Sequence, residues 1–255
     1  MSSTVRAVVR RVPVPVALGY IGILAVTSTL LGVLDPATRA AVIDGASTNL
    51  DNLSRGRIDT LVTSVFVVDN RSTWLWLPLF GALLIVGELA LGARRLLLTL
   101  VVGNLVATAV VAIGLAIAVL GRWAPEEVSH APDVGVSYGA VALVGALTAA
   151  APRPWRGAWI GLWLAAAASS LVSESTFTAW GHVVALGTGF GLAVVYARRV
   201  AGWRRSWLPD VLLVVGCGYP AAVFGLLSPG LFVVLAAAGL GALLDRRWRG
   251  QPSPG

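Results

Sequence analysis

"DVGVSYGAVALVGALTAAAPR", residues 133 to 153, decides how the chain is read. Ser137, set between glycines, opens an apolar run that reaches Arg153 after about 15 residues, a helix about 22 Å long. A bilayer core of about 30 Å asks for about 20 helical residues. A helix this short that ends at an arginine-bearing face must begin below the opposite face. Ser137 is then recessed, and loop 133–136 lies at membrane depth. Non-helical backbone is tolerated there only if protein buries it or a watery cavity receives it.

Composition supplies the membrane. The 255 residues are 57% hydrophobic and 12% charged, the mean hydropathy is +0.83, and the apolar runs are too long for a soluble core. Candidate spans are 13–34, 74–91, 96–120, 137–151, 156–173, 177–197, 210–226 and 230–244. Read as one helix, 210–244 would be on the order of 50 Å long, and Ser228-Pro229-Gly230 is a turn signal near its middle, so it divides into a hairpin. The first run is too long for a signal-peptide core and no small-residue cleavage site follows it; it is kept as the first helix. The fold class is an all-α polytopic membrane protein.

The net charge of +7 comes from arginines in short groups between apolar runs, not from a solvated basic face, which argues against a nucleic-acid partner. They act as topology signals. With the N-terminus in the cytoplasm, the inner segments collect Arg6, Arg10, Arg11, Arg94, Arg95, Arg153, Arg156, Arg198, Arg199, Arg204, Arg205, Arg246, Arg247 and Arg249. Only Arg39, Arg55, Arg57, Arg71 and Arg122 fall outside, with most of the acids. Eight crossings with both termini inside satisfy the positive-inside rule. The single cysteine, Cys217, excludes a disulfide framework and reads as helix packing.

The second membrane residue with chemistry is His182, in "FTAWGHVVALGTGFG", residues 177–191. It lies about 7 Å below the outer end of its helix, and Ser137 comes out at about 8 Å, so the two share a depth. Ala185 and Gly189 continue the face of His182, while Ala142, Gly145, Ala146 and Ala149 give the serine helix its own small-residue stripe. The two helices are expected to approach closely. A neutral imidazole is the usual base for a serine nucleophile, and backbone N–H groups at a helix start favour an oxyanion. Taken singly, Ser137 also reads as a helix cap, and His182 as a hydrogen-bonding residue between helices.

These elements resemble the rhomboid family of intramembrane serine proteases, in a divergent, actinobacterial-type form. The family's serine follows a glycine at the start of a short fourth helix, and its histidine lies in the sixth. "GRIDTLVTSVFVVDN", residues 56–70, is similar to the stretch ahead of the family's second helix, and "GELALGARRLLLTLVVGN", residues 87–104, resembles the turn between its second and third. The resemblance covers roughly residues 13–197. It implies a six-helix core over 13–197 with an outer loop at 35–73, flanked by a cytoplasmic segment 1–12, a C-terminal hairpin 198–244 and a tail 245–255. It also implies a serine-type endopeptidase that cleaves a transmembrane protein near its outer end, with Ser137 as nucleophile, His182 as general base, and Gly135 and Tyr138 shaping the loop and oxyanion site. The chain departs from the family pattern at Tyr138 and Ala185, where glycine is usual. It also departs around Trp74 and Trp76, where the family carries histidine and asparagine.

The remaining polar residues read structurally. Glu88 snorkels or pairs with Arg94 or Arg95, Asn104 bonds a neighbouring helix, and His130 is a solvated loop residue. Leu50, Leu53, Ile58, Leu61 and Val65 recur at near-helical spacing and predict an amphipathic interfacial helix. No cofactor is expected; two histidines and one cysteine are too few for a zinc site. The partners expected are the lipid bilayer and a transmembrane substrate or client, and the location a bacterial plasma membrane. A catalytically inactive relative that binds transmembrane segments is the alternative function; a small transporter has neither a charged relay nor an evident repeat behind it.

Overall fold

A computed structural model of the chain describes residues 14–68, 73–173, 176–198, 200 and 207–225. Segment 1–12, the turn at 228–230, the second hairpin arm at 230–244 and the tail 245–255 lie outside the described residues. The described chain is helical throughout: α1 Pro15–Val33, α2 Pro36–Ala46, α3 Leu50–Ser54, α4 Thr60–Thr63, α5 Thr73–Leu91, α6 Ala93–Leu120, α7 Ser137–Ala146, α8 Arg156–Ser173, α9 Phe177–Tyr196 and α10 Trp207–Val223. Of these, α1, α5, α6 and α9 are long and apolar enough to cross a membrane, and α7 and α10 are shorter apolar helices. The chain is an integral multi-pass membrane protein. Leucines, valines and isoleucines along α1 and α6, among them Leu18, Val26, Leu97, Val110 and Ile113, are exposed, as hydrocarbon-facing helix surfaces should be.

The helix α7 is the axis of the bundle. Every residue from Tyr138 to Ala146 is buried, because α5, α6 and α9 surround it and each meets it across a small residue. A Cβ at Gly87 of α5 would lie 2.8 Å from Leu143, one at Gly139 would lie 3.3 Å from Leu100 of α6, and one at Gly145 would lie 2.6 Å from the Leu186 carbonyl oxygen of α9. Gly103 of α6 abuts Ala142 more closely still. Lipid tails are as apolar as leucine, so helices associate in membranes by packing rather than by expelling water, and small residues permit it.

Helix ends follow local chemistry. The turn between α5 and α6 is a single residue, Gly92, with φ +83°, so α6 starts at Ala93, ahead of the expected 96. A 3₁₀ turn, Leu147–Ala149, ends α7. There the Arg156 guanidinium donates to the Ala149 and Ala151 carbonyls at 2.9 Å each, satisfying orphan acceptors at a helix C-terminus. Helix α10 stops at Val223 and Gly225 turns with φ +66°.

Three expectations are corrected. The outer loop does not form one amphipathic helix over 50–65. Asn52 accepts from Arg57 and donates to the Asp44 and Ser47 carbonyls, and Gly56 at φ +76° breaks the run. Helices α3 and α4 result, with Ile58 left exposed between them. Glu88 pairs with no arginine among the described residues. Its carboxylate accepts from the Val16 N–H at 3.3 Å and the Ala17 N–H at 2.7 Å. Helix α1 has no side-chain cap of its own, so the anion at its N-terminus comes from α5. Asn104 makes no hydrogen bond to another helix among the described residues; it lines an apolar groove between α1, α4 and α6.

Removing the borrowed cap should be measurable. Glu88→Ala is expected to cost about 1–3 kcal/mol, read as a shifted midpoint of unfolding in mixed detergent micelles, and Glu88→Gln, which keeps one acceptor, should cost less.

Candidate active site

Ser137 is the first residue of α7, and Val136 occupies the N-cap position with no side-chain capping bond. The hydroxyl therefore does not cap the helix, and the capping interpretation of Ser137 fails. The intrahelical ladder begins with the Ala140 N–H on the Val136 carbonyl at 3.0 Å, which leaves the N–H groups of Ser137, Tyr138 and Gly139 without intrahelical acceptors.

The loop before the serine is tied to the outer segment. The Asp133 N–H donates to Ser47 Oγ at 2.7 Å, and the Asp133 carbonyl accepts from the Thr48 N–H at 3.0 Å. The Gly135 N–H donates to the Ser64 carbonyl at 2.9 Å. Gly135 holds φ +124°, a backbone that side-chain-bearing residues rarely adopt. Ser47, Thr48 and Ser64 are themselves buried. The Tyr20 hydroxyl donates to the Val65 carbonyl at 2.7 Å, anchoring the same segment to α1. Recessed backbone is thus satisfied by protein, as its depth demands. Burial also pushes the Asp133 carboxyl up to about 6.

His182 reaches the serine helix through its neighbour. The α7 and α9 backbones touch: Gly189 abuts the Ala142 carbonyl, and Gly145 meets the Gly189 Cα and the Leu186 carbonyl. One and two turns towards the loops, the His182 ring sits edge-on against Tyr138, centroids 5.3 Å apart. Tyr138 fits there because residue 181 is glycine; a Cβ would lie 2.5 Å from the phenol ring. His182 is 6% exposed, and its Nε2 has no hydrogen-bond partner among the described residues. An unpaired imidazole nitrogen at this depth is costly. Among the described residues no hydrogen bond joins Ser137 to His182. The residue next to Ser137, Tyr138, is the one on α7 in ring contact with the imidazole.

A family model described as "Rhomboid-like protein" matches residues 7–202. The chain belongs to the rhomboid-like family. No curated protein and no solved structure matches it. In this rhomboid-like chain the two tryptophans of the first turn of α5 are placed differently. Trp74 is exposed, whereas Trp76 packs against Tyr219 of α10 at 5.7 Å and lines a cavity of about 150 Å³ that Val136 also borders.

Several residues of the site were not legible in the sequence. Phe224 makes an edge contact with His182, ring centroids 6.0 Å apart, and Trp163 of α8 lies 6.2 Å from Phe224. Ser47, Thr48 and Ser64 reach the serine loop from positions 70 to 90 residues away, and nothing in their local spacing signals it. His130 is an exposed loop residue as expected, and its Nδ1 lies 3.7 Å from an Asp51 carboxylate oxygen.

Two outcomes follow from this geometry. Gly189→Ala should destabilise the protein by about 1–3 kcal/mol or more through overpacking. Gly187→Ala, with nothing within 4 Å of its added methyl, should be neutral or stabilising; melting in detergent compares them. For Asp133, a carboxyl raised in the fold from 3.8 to about 6 stabilises below the lower value and loses that contribution as pH rises through the higher one. The melting temperature of the parent minus that of Asp133→Asn should fall between pH 4 and pH 7.

Proposed function

We propose that this rhomboid-like chain is an intramembrane serine endopeptidase that cuts transmembrane proteins near the outer membrane face. Ser137 is the nucleophile and His182 the general base. The observation that carries the reading is the buried, unpartnered Nε2 of His182, on a helix packed backbone to backbone against the one Ser137 begins. Membership of the family supports it. So does the failure of the capping interpretation, which leaves the Ser137 hydroxyl without a structural task.

The chemistry balances with these groups. Ser137 Oγ bonds to the scissile carbonyl carbon as its proton passes to His182, and the oxyanion faces the free N–H groups of the first turn of α7. The C–N bond then breaks, and His182 returns the proton to the departing amine. Water attacks the resulting ester, gives a proton to His182, and frees the new carboxyl while Ser137 recovers its hydrogen. Gly135 supplies the loop's positive φ, and Tyr138 holds the imidazole from one side. Hydrogen bonds between nucleophile and base are often loose before substrate arrives. With the arginine distribution setting orientation, the N-terminus is cytoplasmic and loop 133–136 opens to the outside of a bacterial plasma membrane.

A second reading, an inactive protein that binds transmembrane segments, draws on the Ser137–His182 bond absent among the described residues and on Trp74 and Trp76 in the first turn of α5. A fluorescent fluorophosphonate on the purified protein in detergent separates the two. The protease reading expects labelling of the parent that is lost in Ser137→Ala and reduced at least a hundredfold in His182→Ala. Absence of labelling, under conditions that label an active intramembrane serine protease, selects the binding protein.

A further inference from the structure

A groove of about 410 Å³ runs between α1 and α6, and His182 does not border it. Helix α1 lines it with Gly19 and Ile23, and α6 with Leu97, Val101 and Leu105. Leu61 and Val65 of the outer segment close a third side, and the buried residues Val136 and Gly139, on either side of Ser137 in the chain, form the floor. Ile23, Leu97 and Val101 are about half exposed, so the groove opens sideways into hydrocarbon.

Size and lining select the occupant. From Leu97 to Leu105 the groove follows α6 for about 12 Å. A helix about 10 Å across would need on the order of 900 Å³ over that length, more than the groove holds, so a partner's transmembrane segment does not fit. Water finds too few polar groups in a lining this apolar. A single acyl chain of the bilayer is narrow enough and already lies at that depth. Hydrocarbon alone does not retain a tail, because lipid is as apolar as leucine; retention has to come from the headgroup. Arg94 stands where a headgroup would lie. Helical period puts it on the Leu97 and Val101 face of α6, one turn nearer the Gly92 end, and it is exposed and has no partner among the described residues. Arg95 is engaged elsewhere, donating to the Leu91 carbonyl at 3.0 Å with its guanidinium 6.0 Å from the centre of the Tyr196 ring. Glu88, the acid at this end of α5, is buried and has its carboxylate on the Val16 and Ala17 amides.

We infer that the groove is a binding site for one anionic phospholipid, with its phosphate at Arg94 and one acyl chain laid along Leu97, Val101 and Leu105 towards Val136. The tail packs on Leu61 and Val65, and the same segment offers the Ser64 carbonyl that receives the Gly135 N–H. Bound lipid therefore backs the wall that positions the loop before Ser137, and it does so independently of the protease reading. Asn104, buried in the groove about 15 Å along α6 from Arg94, meets the tail and not the headgroup.

Photo-crosslinking tests the site in the full-length protein reconstituted in phosphatidylcholine vesicles. The probe is phosphatidylglycerol carrying a diazirine in one acyl chain, the comparison is phosphatidylcholine with the same chain, and labelled peptides are quantified by mass spectrometry. The glycerol probe should label residues 61–66 about fivefold more strongly, the worth of one arginine beside an anionic lipid, and Arg94→Gln should remove that difference. Gly19→Leu fills the groove without a clash, since nothing lies within 4 Å of an added Cβ, and should abolish the labelling. Gly22→Leu, equally open but outside the groove, should leave it intact. Melting profiles identify the folded variants, and Arg94→Gln, which alters only an exposed side chain, keeps the test decisive if Gly19→Leu does not fold. Equal labelling by the two probes, or labelling that survives in folded Gly19→Leu, overturns the site in favour of ordinary annular lipid. Loss of labelling in folded Asn104→Leu marks a ligand with a hydrogen-bonding group at depth and overturns the acyl chain.

Discussion

The structure depends on how closely two backbones can lie. Helix α7 and helix α9 meet at Ala142, Gly145 and Gly189 with no side chain between them. In water such a contact would be reinforced by the burial of apolar surface, but between helices in hydrocarbon that force is absent and close packing has to replace it. The same contact sets the depth of His182 relative to Ser137, because helices in register at Gly145 and Gly189 have no freedom to slide. Everything nearer the loops, including the seat of Tyr138 on Gly181, inherits its position from there.

A short α7 creates a second demand. Because the helix begins beneath the surface, the chain leading into it carries peptide groups at a depth where water is scarce. The outer segment answers this with buried hydroxyls and carbonyls from Ser47, Thr48 and Ser64. The loop that looks in the sequence like a connector is therefore a hydrogen-bonding platform. Its fragmentation into short helices follows from that duty, since Asn49 and Asn52 spend their amides closing turns.

What could be read from the sequence was what repeats locally. Helix limits such as Pro15–Val33 and Phe177–Tyr196 follow from hydropathy and length. The small-residue faces at Ala142, Gly145, Ala185 and Gly189 follow from helical period. Contacts across large separations left no such trace. Glu88 looked like a partner for nearby arginines because Arg94 and Arg95 are close in sequence, yet the groups that donate to it are amides 71 and 72 residues back. The contact of Phe224 with His182 likewise comes only with the packing of α10 in the bundle, which period and composition leave open.

The Glu88 contact also bears on how the protein is made. The first helix enters the membrane without a capping side chain of its own, and the carboxylate that satisfies its opening amides belongs to a helix synthesised about 70 residues later. The bond can form only once α5 has been made, so the vertical register of α1 against α5 is set by the second long helix, acting backwards on the first.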